Sequence, residues 1–179
     1  MLRTEDSVIV LIDVQGKLAE LMSEKDQLYR QLQILLRGAR SLGVPVLWLE
    51  QYPKGLGPTV PEIATLLEGI EPIEKTCFSA CGSERFQQAL SDSGRRTAVV
   101  AGIESHVCVY QTAQDLLAAG FVVEVVRDAV SSRTAENRLA GFERMVRLGA
   151  SMTTVEMVLF EWLREAGSPA FKEISRLVR

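Results

Sequence analysis

The residue with the clearest chemical potential is Cys108, one of three cysteines in the chain. It lies a few residues after a short β-branched run at 97–100, where the pattern predicts that a helix begins. The first-turn amides and the positive end of the helix dipole favour a thiolate over a thiol. Because a thiolate is a nucleophile at neutral pH, this placement predicts covalent catalysis at Cys108.

A single histidine, His106, limits how this thiol could be activated. One imidazole cannot build a zinc site of several histidines. His106 also lies two residues before Cys108, and side chains at i and i+2 of a helix do not face each other. We therefore expect a carboxylate or a lysine to activate the thiol.

Two such groups share a topological position with Cys108. Asp13 ends the first apolar run, Lys75 ends the third, and Cys108 follows the fourth. In a parallel sheet all these strand ends meet at one edge, so the three side chains are expected to converge. Each also has an ordinary structural interpretation: Asp13 as a turn cap, Lys75 as a solvated strand end, and Cys108 as a small buried apolar side chain.

The elements that position these residues alternate along the chain. Continuous apolar runs at 7–12, 44–49, 97–100, 121–126 and 150–152, with a shorter one near 72–75, predict strands buried on both faces. Helical patterns occupy 27–42, 154–162 and 169–178, and Gly43, Gly94, Gly120 and Gly149 precede strands. This predicts one α/β domain over residues 1–179: a three-layer α/β/α sandwich with a mostly parallel, about six-stranded sheet of Rossmann type.

The longest irregular stretch follows the second predicted strand. Residues 51–61 contain three prolines and two glycines, which predicts no regular element there. The stretch should lie at the carboxyl edge of the sheet, where open α/β folds bind ligands. We expect it to line a pocket with Tyr52 and Leu56.

Composition narrows the function classes. The net charge is −3, without blocks of one sign, so neither a basic stripe nor a nucleic-acid role is indicated. No apolar run is long enough for a membrane span, and no charged-then-apolar leader precedes the first strand. Because the sequence has three cysteines and no export signal, we expect a protein of the reducing cytoplasm, whose fold is not held together by disulfide bonds.

Three motifs together resemble the isochorismatase-like cysteine hydrolase superfamily: VLIDVQ at 10–15, EK at 74–75 and GIESHVCV at 102–109. The similarity covers most of the chain. The segments EQYPKGLGPT at 50–59 and KTCFS at 75–79 resemble more narrowly the isochorismatase domain-containing proteins.

The resemblance implies a mechanism. Cys108 would attack an amide-like carbonyl and form a thioester acyl-enzyme, Asp13 would be the general base and acid, and Lys75 would hold Asp13 ionised. A cis peptide between Ile103 and Glu104 would aim backbone N–H groups, including that of Cys108, at the oxyanion.

It also implies what surrounds the reaction. We expect Gln15, Gln51, Tyr52 and Phe78 to contact a small-molecule substrate, in a homo-oligomer that needs neither metal nor cofactor. Nicotinamidase-type relatives bind a metal with an aspartate and two histidines, which this chain cannot supply. Isochorismatases proper can dispense with the cysteine, so Cys108 favours cleavage of a C–N bond.

Other functions stay open. A non-catalytic binding or scaffold protein could retain the same pocket, and a thiol redox protein could pair Cys108 with Cys77 or Cys81. Asp128 and Arg133 are expected to cap a turn or form an ion pair. Glu104 and His106 are expected near the mouth of the site or at a subunit interface.

Overall fold

The computed structural model describes all 179 residues. The strands are β1 Ser7–Ile12, β2 Val46–Gln51, β3 Ile73–Lys75, β4 Thr97–Ile103, β5 Val122–Ser131 and β6 Ser151–Thr153. The helices are α1 Gly16–Glu20, α2 Lys25–Leu42, α3 Pro53–Leu56, α4 Pro61–Ala64, α5 Glu84–Asp92, α6 Tyr110–Ala118, α7 Ala135–Arg147, α8 Val155–Leu163 and α9 Phe171–Leu177. Two 3-10 turns, Thr65–Leu67 and Ala80–Gly82, and a π-helical segment, Ser105–Val109, complete the chain.

The six strands form one sheet in the order β3-β2-β1-β4-β5-β6, and every pair is parallel. Apolar side chains that alternate along β1 enter two different cores, because successive side chains of a strand point to opposite faces. Ile9 and Leu11 pack with α2 and α8, whereas Val8 and Val10 pack with α5 and α6. The predicted three-layer α/β/α sandwich is confirmed.

Helix α2 shows why the sequence forms this layer. Leu28, Leu32, Leu35 and Ala39 recur every three or four residues and are all buried. This spacing places them on one face of a helix, which lies against the sheet. Gly43 ends α2 in the left-handed conformation, with φ 69°, as the sequence predicts.

Some boundaries differ from the sequence-based expectation. The prediction that residues 51–61 contain no regular element is wrong, because Pro53 opens the one-turn helix α3 and Pro61 opens α4. Proline is tolerated at the first helical position, where its missing N–H would have no intrahelical partner. Strand β5 also continues to Ser131, five residues beyond the predicted end at 126. No helix of the protein is both long enough and apolar enough to cross a membrane.

The carboxyl edge of the sheet brings the candidate residues together. Asp13 directly follows β1, Lys75 is the last residue of β3, and Cys108 follows β4 within the π-helical segment. These three strands are not all neighbours, since β2 lies between β3 and β1. Side chains at this edge must therefore reach across β2 to meet.

One glycine permits the close approach of β4 to β1 at this edge. Gly102 pairs with Ile12, immediately before Asp13, and has φ 116°. A Cβ at this position would collide with the backbone of Ile12. Any larger residue would push β1 and β4 apart next to the candidate site.

The close approach of Gly102 to the backbone of Ile12 predicts that Gly102→Ala strongly destabilises the fold. We expect the substitution to lower the free energy of unfolding by about 3 kcal/mol or more, because it combines an unfavourable φ with a backbone clash. Urea unfolding followed by circular dichroism measures the change. The control is Gly94→Ala, where φ is also positive, 64°, but no atom lies within 4 Å of the new Cβ. Equal losses in both variants would contradict the close-approach explanation.

Candidate active site

Asp13 places a carboxylate inside the protein. Its backbone is left-handed, with φ 53°, and its N–H donates to the carbonyl of Leu49, 3.2 Å away. Only 2% of the residue is exposed. Oδ2 accepts a 2.7 Å hydrogen bond from Nζ of Lys75, whereas Oδ1 is buried without a hydrogen-bond partner. One lone-pair face of the carboxylate is thus left available for a proton.

Lys75 is the hub of the cluster, and its side chain has no exposed surface. Besides Asp13, Nζ donates to Oε1 of Gln51 at 2.8 Å and to the carbonyls of Phe78 at 3.2 Å and Cys77 at 3.3 Å. An ammonium group carries three N–H donors, so every donor has an acceptor. The sequence-based alternative of a solvated strand end is wrong for Lys75.

Burial sets the pKa of Asp13. Desolvation raises the pKa of this carboxyl above its ordinary value, and the Lys75 ammonium opposes the rise through its charge and its hydrogen bond. The nearby carboxylate of Glu50 adds a smaller upward effect on the pKa. A carboxyl with a raised pKa is a stronger base than an exposed aspartate, which suits proton transfer near neutral pH.

Cys108 lies against the Asp13 carboxyl, close enough for each group to shift the pKa of the other. The pKa of the Cys108 thiol is raised to about 12, mainly by burial and next by the charge of Asp13, while the charge of Lys75 opposes the rise. The expectation of a thiolate at rest is wrong. The helical turn begins at Ser105, so Cys108 is not the first residue at the helix start, and desolvation outweighs any dipole effect.

The chain between β4 and Cys108 is held by buried polar contacts. The peptide bond between Ile103 and Glu104 is cis. The Glu104 carboxylate is largely buried, and its Oε1 accepts the backbone N–H of Arg133 at 3.1 Å and the Arg133 Nε at 3.0 Å. The ion-pair expectation for Arg133 is confirmed.

The single histidine lies apart from the ion pair of Lys75 and Asp13. His106 Nδ1 is 3.0 Å from the hydroxyl of Ser132 and is hydrogen-bonded to neither Asp13 nor Lys75.

Tight packing fixes the π-helical segment from its other side. Ser105 Oγ donates to the carbonyl of Arg138 on α7, 2.9 Å away. Gly141 on the same helix leaves room for the backbone of Ser105, which a Cβ would strike. Asp128 caps α8, where its Oδ1 accepts the N–H of Val155, as expected for a structural turn.

The four residues expected to contact substrate separate into two pairs. Gln15 is fully buried, and its amide bonds only backbone groups, so the structure contradicts a substrate contact. Gln51 uses its side chain to bind Lys75 and the carbonyl of Thr76. Tyr52 and Phe78, by contrast, are 54% and 55% exposed and are free to meet a ligand.

A cavity of about 400 Å³ lies beside Lys75. Tyr52, Lys54, Glu74 and Cys77 are among its lining residues, whereas Leu56, expected in the pocket, is not. Neither Asp13 nor Cys108 borders this space. The cavity is therefore next to the cluster rather than above the thiol.

Sequence reasoning missed one buried carboxylate. Glu50, at the end of β2, is 5% exposed, and its Oε1 accepts the N–H and the hydroxyl of Thr59 at 2.7 and 2.8 Å. The Thr59 hydroxyl in turn accepts the indole N–H of Trp48 at 2.8 Å. The signal was available, since Glu50 closes an apolar strand as Asp13 does.

The remaining thiols give little support to a redox pair. All three cysteines are free, and Cys77 and Cys81 are partly buried. Burial raises the pKa of Cys81 to about 11, which lowers its reactivity as a thiolate. The structure contains no group of three or more His, Cys, Asp or Glu side chains that could hold a metal ion.

Comparison with known proteins places this geometry in a family. The model of the isochorismatase domain matches residues 7–157. Human isochorismatase domain-containing protein 2 is 41% identical over 174 residues, covering 97% of this chain and 83% of the relative. The chain belongs to the isochorismatase family.

Solved structures agree with this assignment. A MAR1 ribonuclease from Caenorhabditis elegans superimposes with a TM-score of 0.92 at 36% identity, covering 99% of this chain and 91% of that chain. YcaC from Pseudomonas aeruginosa, solved with covalent acrylamide, has a TM-score of 0.90 at 25% identity, covering 99% and 95%. Escherichia coli YcaC, described as an octameric hydrolase of unknown specificity, also has a TM-score of 0.90 at 25% identity, covering 99% of this chain and 94% of that chain. The isochorismatase fold is therefore shared with hydrolases.

Removing the cation should destabilise this isochorismatase domain in a pH-dependent way. Lys75→Met leaves the Asp13 carboxylate buried without its partner, which costs about 3–5 kcal/mol of unfolding free energy at pH 8. Without Lys75 the pKa of Asp13 rises further, so the folded variant takes up a proton where the wild type does not. The cost should therefore shrink as the pH falls towards 5.

Chemical unfolding at several pH values measures this cost. The control is the double variant Asp13→Asn/Lys75→Met, which leaves no buried charge and should be more stable at pH 8 than Lys75→Met alone. A loss that does not depend on pH would mean that Asp13 does not titrate in response to Lys75.

Removing the anion should instead acidify the thiol. Asp13→Asn deletes a negative charge that raises the pKa of Cys108 and leaves Lys75 unopposed. We expect the pKa of Cys108 to fall from about 12 by about one unit or more. Thiolate absorbance against pH measures it, with Cys108→Ala in the same background to subtract Cys77 and Cys81. An unchanged or higher pKa would show that the two groups do not interact.

Proposed function

We propose that the protein is a hydrolase that cleaves an amide-like C–N bond of a small molecule, with Cys108 as the nucleophile. The observation that carries the proposal is the Asp13 carboxylate: Oδ2 is held by Lys75, and the unpartnered Oδ1 belongs to a carboxyl that lies against the Cys108 thiol. A base with one occupied and one free oxygen next to a protonated thiol is the arrangement that nucleophilic catalysis requires.

The acylation half-reaction follows from these positions. Asp13 removes the thiol proton as Sγ attacks the carbonyl carbon, which forms a tetrahedral intermediate. Backbone N–H groups of the segment after Ile103, including that of Cys108, stabilise the oxyanion. The C–N bond then breaks, Asp13 returns the proton to the leaving nitrogen, and a thioester to Cys108 remains.

Water completes the cycle. Asp13, again ionised, takes a proton from water as the hydroxyl oxygen attacks the thioester carbon. The C–S bond breaks, the carboxylic acid leaves, and the thiolate recovers its proton from Asp13. The Lys75 ammonium stabilises the buried negative charge, whether that charge is on the Asp13 carboxylate or on Sγ of Cys108.

The surroundings of the reaction are part of the same proposal. Tyr52 and Phe78 have exposed aromatic side chains, and the backbone of each is hydrogen-bonded to Lys75, so we assign both to substrate contact. The octameric relative supports a homo-oligomer, and the covalent acrylamide in another relative supports a reactive nucleophile in this fold. A cytoplasmic location and independence from metal and cofactor remain predictions from the sequence.

The relative named a ribonuclease makes RNA a necessary part of the test. The expectation that the protein has no nucleic-acid partner rests only on its net charge of −3 and on the absence of a basic stripe in the sequence. A scaffold role without catalysis is the other alternative. A substrate panel should therefore combine primary amides, ureas and carbamoyl compounds with single-stranded RNA.

The decisive measurement is the acyl-enzyme. With an amide that turns over, we expect rapid quenching and intact-mass spectrometry to show the mass of the acyl group on Cys108. Cys108→Ala should lose the adduct and lower turnover by about 10³-fold or more, because no other thiol lies against Asp13. The matched control is Cys81→Ala, which removes a thiol outside the cluster and should retain activity.

Asp13→Asn separates the base from the nucleophile. It should abolish turnover even though it increases the thiolate fraction of Cys108, since an amide side chain cannot return a proton to the leaving nitrogen. Full turnover in Cys108→Ala would exclude covalent catalysis. Hydrolysis of RNA alone would replace the amidase proposal, and no turnover of any compound would favour the scaffold.

A further inference from the structure

Gln51 is the one uncharged side chain that binds the Lys75 ammonium. Its Oε1 accepts from Nζ of Lys75 at 2.8 Å, close to the 2.7 Å of the bond to Asp13. Its Nε2 donates to the carbonyl of Thr76 at 2.7 Å. The second bond fixes which end of the amide faces Lys75, because the oxygen must accept and the nitrogen must donate.

The backbone of Gln51 is fixed as firmly as its side chain. Its N–H donates to Oε1 of Gln15 at 2.6 Å, and its carbonyl accepts from Nε2 of Gln15 at 3.1 Å. Gln15 is fully buried and also donates to the carbonyl of Gly57 at 2.7 Å. The side-chain amide of Gln15 therefore joins the end of β2 to the segment that follows β1. This holds the backbone of Gln51 in a fixed position relative to Asp13.

We propose that Gln51 is a positioning residue, which confines the Lys75 ammonium against the Asp13 carboxylate and adds no charge of its own. The inference rests on the proposed function, because it assigns Gln51 to the proton-transfer machinery rather than to substrate contact. Gln51 acts through Lys75 and is hydrogen-bonded to neither the thiol nor the Asp13 carboxyl.

The neutrality of Gln51 matters because the cluster already holds several acidic groups. The groups that act on the pKa of Asp13 or Cys108 are these two residues themselves, Glu50 from β2, Glu104, which directly follows β4, and Lys75, the one cation in contact with Asp13. Lys54, Glu74 and Cys77 line the cavity beside Lys75. The Glu104 charge is paired with Arg133. A further carboxylate on Lys75 would compete with Asp13 for the single ammonium and disfavour ionisation of Asp13 and Cys108.

The test measures ionisation of Asp13 without any substrate. In protein labelled at the aspartate carboxyl carbon, NMR titration follows each of the six aspartates, and Asp13 is assigned by the signal that Asp13→Asn lacks. Gln51→Glu should raise the inflection of Asp13 by about one pH unit, a tenfold change in its ionisation constant. Gln51→Met has a side chain of similar length without a hydrogen-bond acceptor of that kind. It should also raise the inflection of Asp13, by an amount that corresponds to a decrease of about three- to fivefold in the ionisation constant, because the ammonium is less confined.

The matched control is Gln27→Glu, the same chemical change at an exposed position in the first turn of α2. It should leave the Asp13 titration unchanged. A wild-type inflection in folded Gln51→Glu and Gln51→Met would overturn the proposal, and if Gln51→Glu does not fold, Gln51→Met decides alone. A purely structural or substrate-contacting Gln51 gives the wild-type inflection in the neutral variant Gln51→Met, since neither role acts on Asp13 in the free enzyme.

The result is independent of turnover. If the variants shift the Asp13 titration while no amide is hydrolysed by the wild type, the positioning assignment stands and the proposed reaction fails. If amides are hydrolysed but the titration does not move, the reaction stands and the positioning assignment fails.

Discussion

The ion pair between Lys75 and Asp13 is the interaction on which the rest of the site depends. Both side chains are almost completely removed from water, and the effective cost of burying each charge is several kcal/mol. A direct 2.7 Å bond and three further acceptors on Nζ offset that cost. Because apolar residues of similar volume would stabilise such a core at least as well, stability alone does not explain this pair. The proton transfer that we propose for Asp13 would explain it.

The sheet order explains why the pair needs so much support. Asp13 and Lys75 leave strands that are separated by β2, so the contact spans two strand spacings, and β2 must contribute to it. Gln51, the last residue of β2, supplies the middle contact. On the other side, Gly102 allows β4 to approach β1 closely and so sets the distance from Asp13 to the segment that carries Cys108. The cluster is therefore a property of four strands rather than of any one motif.

Features that depend on local pattern were predictable from the sequence. Continuous apolar strands, glycine-ended helices and the convergence of Asp13, Lys75 and Cys108 at one edge follow from periodicity and parallel topology. The acidity of Cys108 was not predictable, because it depends on desolvation by residues distant in the chain. The partners of Gln15 and Gln51 were not predictable either, since an amide side chain binds backbone, ions and ligands with the same two groups.

The high pKa of Cys108 is compatible with a nucleophile. A thiol with a pKa of about 12 is protonated at rest, which protects it from oxidation and from adventitious electrophiles. Transfer of its proton to Asp13 is unfavourable in the empty site because it places negative charge on a buried sulfur, and the Glu104 carboxylate adds a smaller repulsion. In the proposed mechanism a bound carbonyl removes that obstacle: as the C–S bond forms, the charge moves from sulfur to an oxyanion held by backbone N–H groups. Proton transfer is then favourable only when a substrate is in place, so the electrostatics that keep the thiol inert also couple its activation to binding.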